Sequence, residues 1–136
     1  MIFHQPVLLQ TVLDIFQIRP GQIYVDATLG HGGHTLNLLK QGGTVYGLDQ
    51  DPDNLKIATD RIGQNSKFIP IHGNFKNISK LLPVDIHRQI SGIIFDLGLS
   101  QNQQTSPNRG FSFNDNLSLD MRLDPKNQKI TAEMII

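Results

Sequence analysis

The stretch Ile23-Tyr24-Val25-Asp26-Ala27-Thr28-Leu29-Gly30-His31-Gly32-Gly33-His34 carries the residue types best suited to hold a small polar ligand. An apolar, β-branched run ends in Asp26 and opens into glycines at positions 30, 32 and 33. A strand feeding a glycine turn feeding a helix brings backbone N–H groups close to a nucleotide-like ligand. Asp49 ends the next apolar run, nineteen residues after Gly30. A carboxylate at that spacing accepts two hydrogen bonds and matches a vicinal ribose diol. A third carboxylate, Asp96, opens Asp96-Leu97-Gly98-Leu99-Ser100 after another apolar run. Ligands of open parallel sheets bind off the carboxyl ends of the strands, where the strand order reverses. Asp96 is therefore the polar group best placed for chemistry, and Gln103 follows it in the loop.

The glycine pattern is incomplete for a dinucleotide. Thr35 stands where the last glycine of G-x-G-x-x-G belongs, and that glycine lets the helix pack close to the strand. A ligand without phosphates, such as S-adenosylmethionine, asks only for close backbone approach and polar groups for its amino-acid end; an ordinary strand-to-helix turn is the simpler alternative. Asp26 is placed to orient the glycine loop or to meet a ligand ammonium. Phe75 could lie against an adenine or anchor a core. Arg109-Gly110-Phe111-Ser112-Phe113 joins a cation to two aromatics, which suits stacking on an exposed base beside a phosphate, or plugging onto a core. In Leu119-Asp120-Met121-Arg122 a local Asp120–Arg122 pairing is the simplest reading. His31 and His34 have no third ligand placed by sequence, so no metal is expected.

The elements that must position these groups follow from periodicity and punctuation. Pro6 suits a first helical position, with Leu8, Leu9, Val12, Leu13 and Phe16 on one face. Strands are expected at Ile23 to Asp26, Thr44 to Asp49, Lys67 to Ile71 and Ile90 to Asp96, with Ile93-Ile94-Phe95 as a fully buried run. Between them fall helices from Thr35 to Gln41, from the Asp51-Pro52 cap through Leu55, Ala58 and Ile62, and around Ile78, Leu81 and Leu82. Such alternation predicts an α/β fold, a half-sheet of parallel strands in the order 3-2-1-4. Residues 98–130 read as one long loop, and Thr131 as the cap of a last helix. The fourth strand would be left as a bare apolar edge, so a partner, a second copy or further chain should cover it.

The bulk properties narrow the function classes. A chain of 136 residues with 38% hydrophobic and 18% charged residues suits one soluble domain. Twelve basic residues balance twelve acidic ones, so an extended nucleic-acid surface leaves no trace in the charge. There is no cysteine, which excludes disulfides and thiolate metal sites. No apolar run or signal-like start suggests a membrane or export, so a cytoplasmic location is expected.

Taken together, the motifs resemble those of one family, the bacterial-type ribosomal small-subunit RNA cytosine-N4 methyltransferases, or MraW family. They are His4-x-Pro6-Val7-Leu8-Leu9, Tyr24 to His34, Leu48-Asp49-x-Asp51, His72-Gly73-Asn74-Phe75, Asp96 to Ser100, Arg109 to Phe113 and Leu119 to Asp124, in family order. Gln101 and Gln104-Thr105 depart from the family pattern beside Asp96. The resemblance implies a Rossmann-like class I S-adenosylmethionine-dependent methyltransferase fold that methylates N4 of a cytidine in small-subunit (16S) ribosomal RNA. It implies cofactor contacts from Gly32, Gly33, His34, Asp49, Phe75, Asp96 and Gln103. Asp96 is then the catalytic candidate, and Arg109, Phe111 and Phe113 are base-binding candidates. The absence of an Asn/Asp-Pro-Pro-Tyr motif at Asp96 disfavours DNA.

The chain is expected to be the N-terminal part of a larger, here truncated, methyltransferase. Residues 1–97 would be half of the cofactor-binding domain, and 98–136 the active-site loop and the start of a helical insert. Two other readings stand beside this one. A catalytically incomplete cofactor-binding module is the first; a nicotinamide-dependent oxidoreductase, which the glycine pattern counts against, is the second.

Overall fold

The computed structural model describes residues 6–112 and 119–136. They fall in two compact units, Met1–Leu97 and Gly98–Ile136. The first unit is a four-stranded sheet of β1 (Ile23–Asp26), β2 (Thr44–Asp49), β3 (Phe68–His72) and β4 (Ile90–Ile94). Every pair is parallel and the order is β3-β2-β1-β4, the order expected from the sequence. The strand order reverses between β1 and β4, so the carboxyl ends of those two strands define the crevice where ligands of such sheets bind.

Successive strand residues point to opposite faces, and the sheet uses both. Tyr24 and Val45 face one core with Leu38, Leu39 and Ala58, onto which Val12, Leu13, Phe16, Leu55 and Ile62 pack. Those residues come from α1 (Leu9–Phe16), α2 (Gly33–Lys40) and α3 (Pro52–Ile62). Val25 and Leu48 face the other core with Leu82 and Ile86, joined by Ile78 and Leu81, the last two from α4 (Ile78–Leu81). The α3 start is as read from sequence: the Asp51 carboxylate accepts from the Asp53 amide at 3.0 Å and Pro52 takes the first helical position.

Four expectations are corrected. Pro6 does not open α1: Leu8, left-handed at φ 51°, intervenes before Leu9. Pro6 instead lies over Gly33, where a Cβ would stand 2.5 Å from its Cγ. Ile93-Ile94-Phe95 is not a fully buried run. Ile94 is buried, but Ile93 and Phe95 are 41% and 51% exposed, because β4 is an edge strand and, among the described residues, has a strand neighbour only in β1. Residues 98–130 are not one long loop, since α5 (Gln101–Thr105) forms within them. Thr131 precedes a 3₁₀ turn, Ala132–Met134, without a side-chain cap.

Gly47 pairs with Asp26 across the β1–β2 ladder. A Cβ there would stand 2.8 Å from Leu29 Cδ1 and 3.0 Å from Phe68 Cε2, and both side chains are buried. Overpacking of this kind costs about 1–3 kcal/mol. Gly47→Val should therefore lower the unfolding free energy by that amount, read as a lower urea midpoint at unchanged slope. An unchanged midpoint would mean that Leu29 is free to move and does not fix the turn.

Candidate functional site

The turn after β1 is built around a buried carboxylate. Asp26 accepts from the Thr28 amide at 3.3 Å and from the Thr35 hydroxyl at 2.7 Å. Burial raises its pKa above the ordinary 3.8, against the lowering effect of the Thr35 bond and of nearby His34. Between these anchors the chain needs left-handed backbone at Gly30 (φ 51°) and at Gly32 (φ 73°), which precedes the first turn of α2.

A second carboxylate grips the same turn from β2. Asp49 accepts from the Gly30 amide at 2.8 Å, the Asp51 amide at 2.9 Å and Asn54 Nδ2 at 3.2 Å. Burial pushes its pKa up to about 6 despite these bonds. A carboxylate has about four acceptor positions, so a place for one further donor remains. Asn54 was not foreseen in this role; its position on the first turn of α3, five residues after Asp49, was the available signal.

Off the end of β3, Asn74 donates to Gln50 Oε1 at 2.5 Å and accepts from the Lys76 amide at 2.9 Å. This ties the β3 end to the β2 end and sets Phe75 at the head of a short 3₁₀ helix, Phe75–Asn77. The Phe75 ring is partly exposed and meets Phe95 edge-on, with centroids 5.6 Å apart. It is an accessible aromatic surface and not a core plug.

Asp96 lies beyond the last β4 pair. Its amide donates to Thr28 Oγ1 at 2.7 Å. Its carboxylate, 48% exposed, stands 3.5 Å from Nε2 of the buried His34. The other ring nitrogen of His34 is buried without a hydrogen-bond partner among the described residues. A proton there would be an unsatisfied buried donor, so the tautomer with its proton on Nε2, facing Asp96, is the one that fits. Gly32, Gly33, His34, Asp49, Phe75 and Asp96 thus all sit at the carboxyl end of one sheet. Thr28, which links the Asp26 carboxylate to the Asp96 amide, was missed because a lone threonine in a turn carries no motif.

In the second unit, Ser100 and Gln103 form a capping box on α5: the Ser100 hydroxyl accepts from the Gln103 amide, and Gln103 Oε1 accepts from the Ser100 amide at 2.9 Å. The Arg109 guanidinium donates to the carbonyls of Arg122 and Leu123 at 3.1 and 3.0 Å and lies 5.9 Å from the Phe111 ring centroid. It pins the following segment, a role the sequence did not suggest. Asp120 and Arg122 pair through two bonds at 2.6 and 2.7 Å, as the simplest reading had it, and the pair holds the Asp120 carboxyl below its ordinary pKa. Phe113 lies outside the described residues.

Chemically, the carboxylates of Asp26, Asp49 and Asp96 gather around the glycine turn at the carboxyl end of the sheet, Asp26 buried beneath it. Such a site attracts a cationic ligand and can accept hydrogen bonds from hydroxyls, ammonium groups or an amine. Among the described residues no group of His, Asp or Glu is arranged to hold a metal, and no helix is long and apolar enough to cross a membrane.

The fold recurs in methyltransferases of known structure. The C-terminal domain of precorrin-6Y C5,15-methyltransferase from Rhodobacter capsulatus superposes with a TM-score of 0.56 at 18% identity, over 73% of this chain and 56% of that one. An rRNA methylase from Streptococcus thermophilus gives 0.51 at 22% identity, over 72% and 58%. In sequence, the chain is 41% identical over 139 residues to ribosomal RNA small subunit methyltransferase H of Halothermothrix orenii, covering all of this chain and 44% of the relative. It is 43% identical to the protein of that name from Buchnera aphidicola subsp. Baizongia pistaciae, over 96% of this chain and 42% of the relative. The chain spans less than half the length of these relatives. The model of the MraW methylase family matches residues 1–136. With this match, a parallel sheet shared with methyltransferases of known structure and the motifs set at its carboxyl end, the chain belongs to the MraW methylase family.

Proposed function

We propose that the protein takes part in methylating N4 of a cytidine in small-subunit ribosomal RNA, with S-adenosylmethionine as donor, in the cytoplasm. The observation that carries this reading is the placement of Asp49 and Asp96 on either side of the glycine turn in a member of this family. Residues 1–97 then serve the cofactor. Residues 98–136 supply, by motif alone, Gln103 for the cofactor and Arg109, Phe111 and Phe113 for the base. The apolar strip on the β4 edge supports a further polypeptide segment or second copy covering it.

The residues present fit the donor. One of its ribose hydroxyls can use the acceptor place left on Asp49, and its amino-acid end can meet backbone amides of the glycine turn, while the space beside Gly30 is open, with no neighbouring atom nearer than 3.9 Å to a Cβ placed there. When bound, S-adenosylmethionine supplies an electrophilic methyl group on a sulfonium. Everything else falls to the chain. The cytosine amine is a poor nucleophile because its lone pair is delocalised into the ring, so its N–H must be drawn upon as the new N–C bond forms. The exposed Asp96 carboxylate can accept that N–H and take the proton. In-line approach requires a separation of roughly 3 Å. The base must therefore leave its stack, and an aromatic of the Arg109–Phe113 segment can hold it.

Two tests follow. In the full-length protein, Asp96→Ala should lower methyl transfer to small ribosomal subunits by about 100-fold or more, the scale of a lost general base, with S-adenosylmethionine binding within a few-fold of wild type. Wild-type turnover would remove Asp96 as acceptor. Calorimetry from pH 5 to 8 addresses Asp49. A ligand hydroxyl donates to the ionised carboxylate and not to the protonated one, so affinity should fall as pH drops below about 6 and level off above it. Asp49→Ala should cost about 1–3 kcal/mol of affinity, and Asp49→Asn should flatten the pH profile. A wild-type profile that is already flat would take Asp49 off the ribose.

A further inference from the structure

We infer that Thr28 is a positioning residue for Asp96, an inference that rests on the methyl-transfer reading of that carboxylate. The β1–β4 ladder closes with the Ala27 amide donating to the Ile94 carbonyl at 2.9 Å. In a continued parallel ladder the next inward donor, the Asp96 amide, would reach the Ala27 carbonyl. It goes instead to Thr28 Oγ1 at 2.7 Å. A side-chain hydroxyl thus replaces the strand at the one point where β4 turns away, and it fixes the backbone of a residue whose carboxylate is half exposed.

Thr28 is itself held. Its amide donates to Asp26 Oδ1, whose other oxygen takes the Thr35 hydroxyl. Thr35 follows His34 on α2, and His34 Nε2 faces the Asp96 carboxylate at 3.5 Å. Asp26, Thr28, Asp96, His34 and Thr35 therefore close a ring around the switch point, all within the first unit. The ring restrains Asp96 twice, through its amide by Thr28 and through its carboxylate by His34. Removing the hydroxyl leaves the carboxylate in place chemically but releases the backbone that aims it.

A threonine that only closed a strand end would affect stability and leave turnover of the folded protein alone, so the test measures more than stability. In the full-length protein, Thr28→Val should lower kcat about 10- to 100-fold, the scale of a small misplacement of a reacting group. The KM for S-adenosylmethionine should stay within about twofold, and Thr28→Ser should restore kcat to within about threefold. Thr28→Ala carries the same expectation should the valine variant not fold. On the 136-residue chain, the Asp96 amide should exchange with solvent at least about tenfold faster in Thr28→Val than in wild type or Thr28→Ser, with the Tyr24 and Val25 amides still protected. Wild-type kcat in a folded Thr28→Val, or unchanged exchange at Asp96, overturns the inference. A wild-type protein that neither binds S-adenosylmethionine nor transfers methyl overturns the function reading instead, and amide exchange then decides the Thr28–Asp96 link by itself.

Discussion

Burying the Asp26 carboxylate at the end of β1 makes its two donors, the Thr28 amide and the Thr35 hydroxyl, obligatory. An unpaired buried charge costs several kcal/mol, and even with both bonds burial still raises its pKa. The donors lie on opposite sides of the glycine turn, one before it and one in the first turn of α2. The turn therefore cannot open without stranding the charge. Its left-handed glycines, the start of α2 and the position of His34 all follow from that one constraint.

Asp49 applies the same logic from the neighbouring strand. It holds the Gly30 amide, so the turn is gripped by carboxylates on β1 and β2 together. Both have raised pKa values, and Asp96 raises that of Asp26 further through its charge. A sheet designed only for stability would not gather three carboxylates at one end. Groups whose environments work against their charged forms mark places where stability yields to binding or chemistry. A cation or a set of hydroxyl donors placed there would favour the ionised forms that burial penalises.

Much of this was legible because it is local. The limits of β1 and β2, the Asp51-Pro52 cap and the strand order follow from apolar runs, turn residues and the right-handed crossover rule. Asp26 and Asp49 were found because each ends a strand, and Asp96 because it follows an apolar run. What failed was what depends on neighbours. Ile93-Ile94-Phe95 is as apolar as a central strand, and nothing in those residues says that β4 has one partner. Pro6 has the chemistry of a helix start, but its ring packs on Gly33, a contact across the fold. Arg109 reads as a free cation for phosphate, yet its donors reach carbonyls thirteen and fourteen residues on. The α5 helix was readable: Ser100-x-x-Gln103 is a capping-box pattern, outweighed by the polar composition around it.

The departure from the dinucleotide glycine pattern shows how a fold moves a constraint without losing it. The last glycine of that pattern exists to let a helix pack close. Here close packing falls on Gly32, where a Cβ would stand 3.2 Å from Ile62 Cδ1 and 3.3 Å from Ala58 Cβ. It brings α3, not α2, against the turn. Position 35 is thereby released from being small and carries a hydroxyl, and that hydroxyl is the shorter of the two bonds to Asp26. A glycine at 35 would restore the pattern and remove the donor, leaving a buried carboxylate with the turn amide alone. The pattern and the carboxylate are therefore alternatives: the more firmly Asp26 is held by a side chain, the less the turn can resemble one built to bind a pyrophosphate.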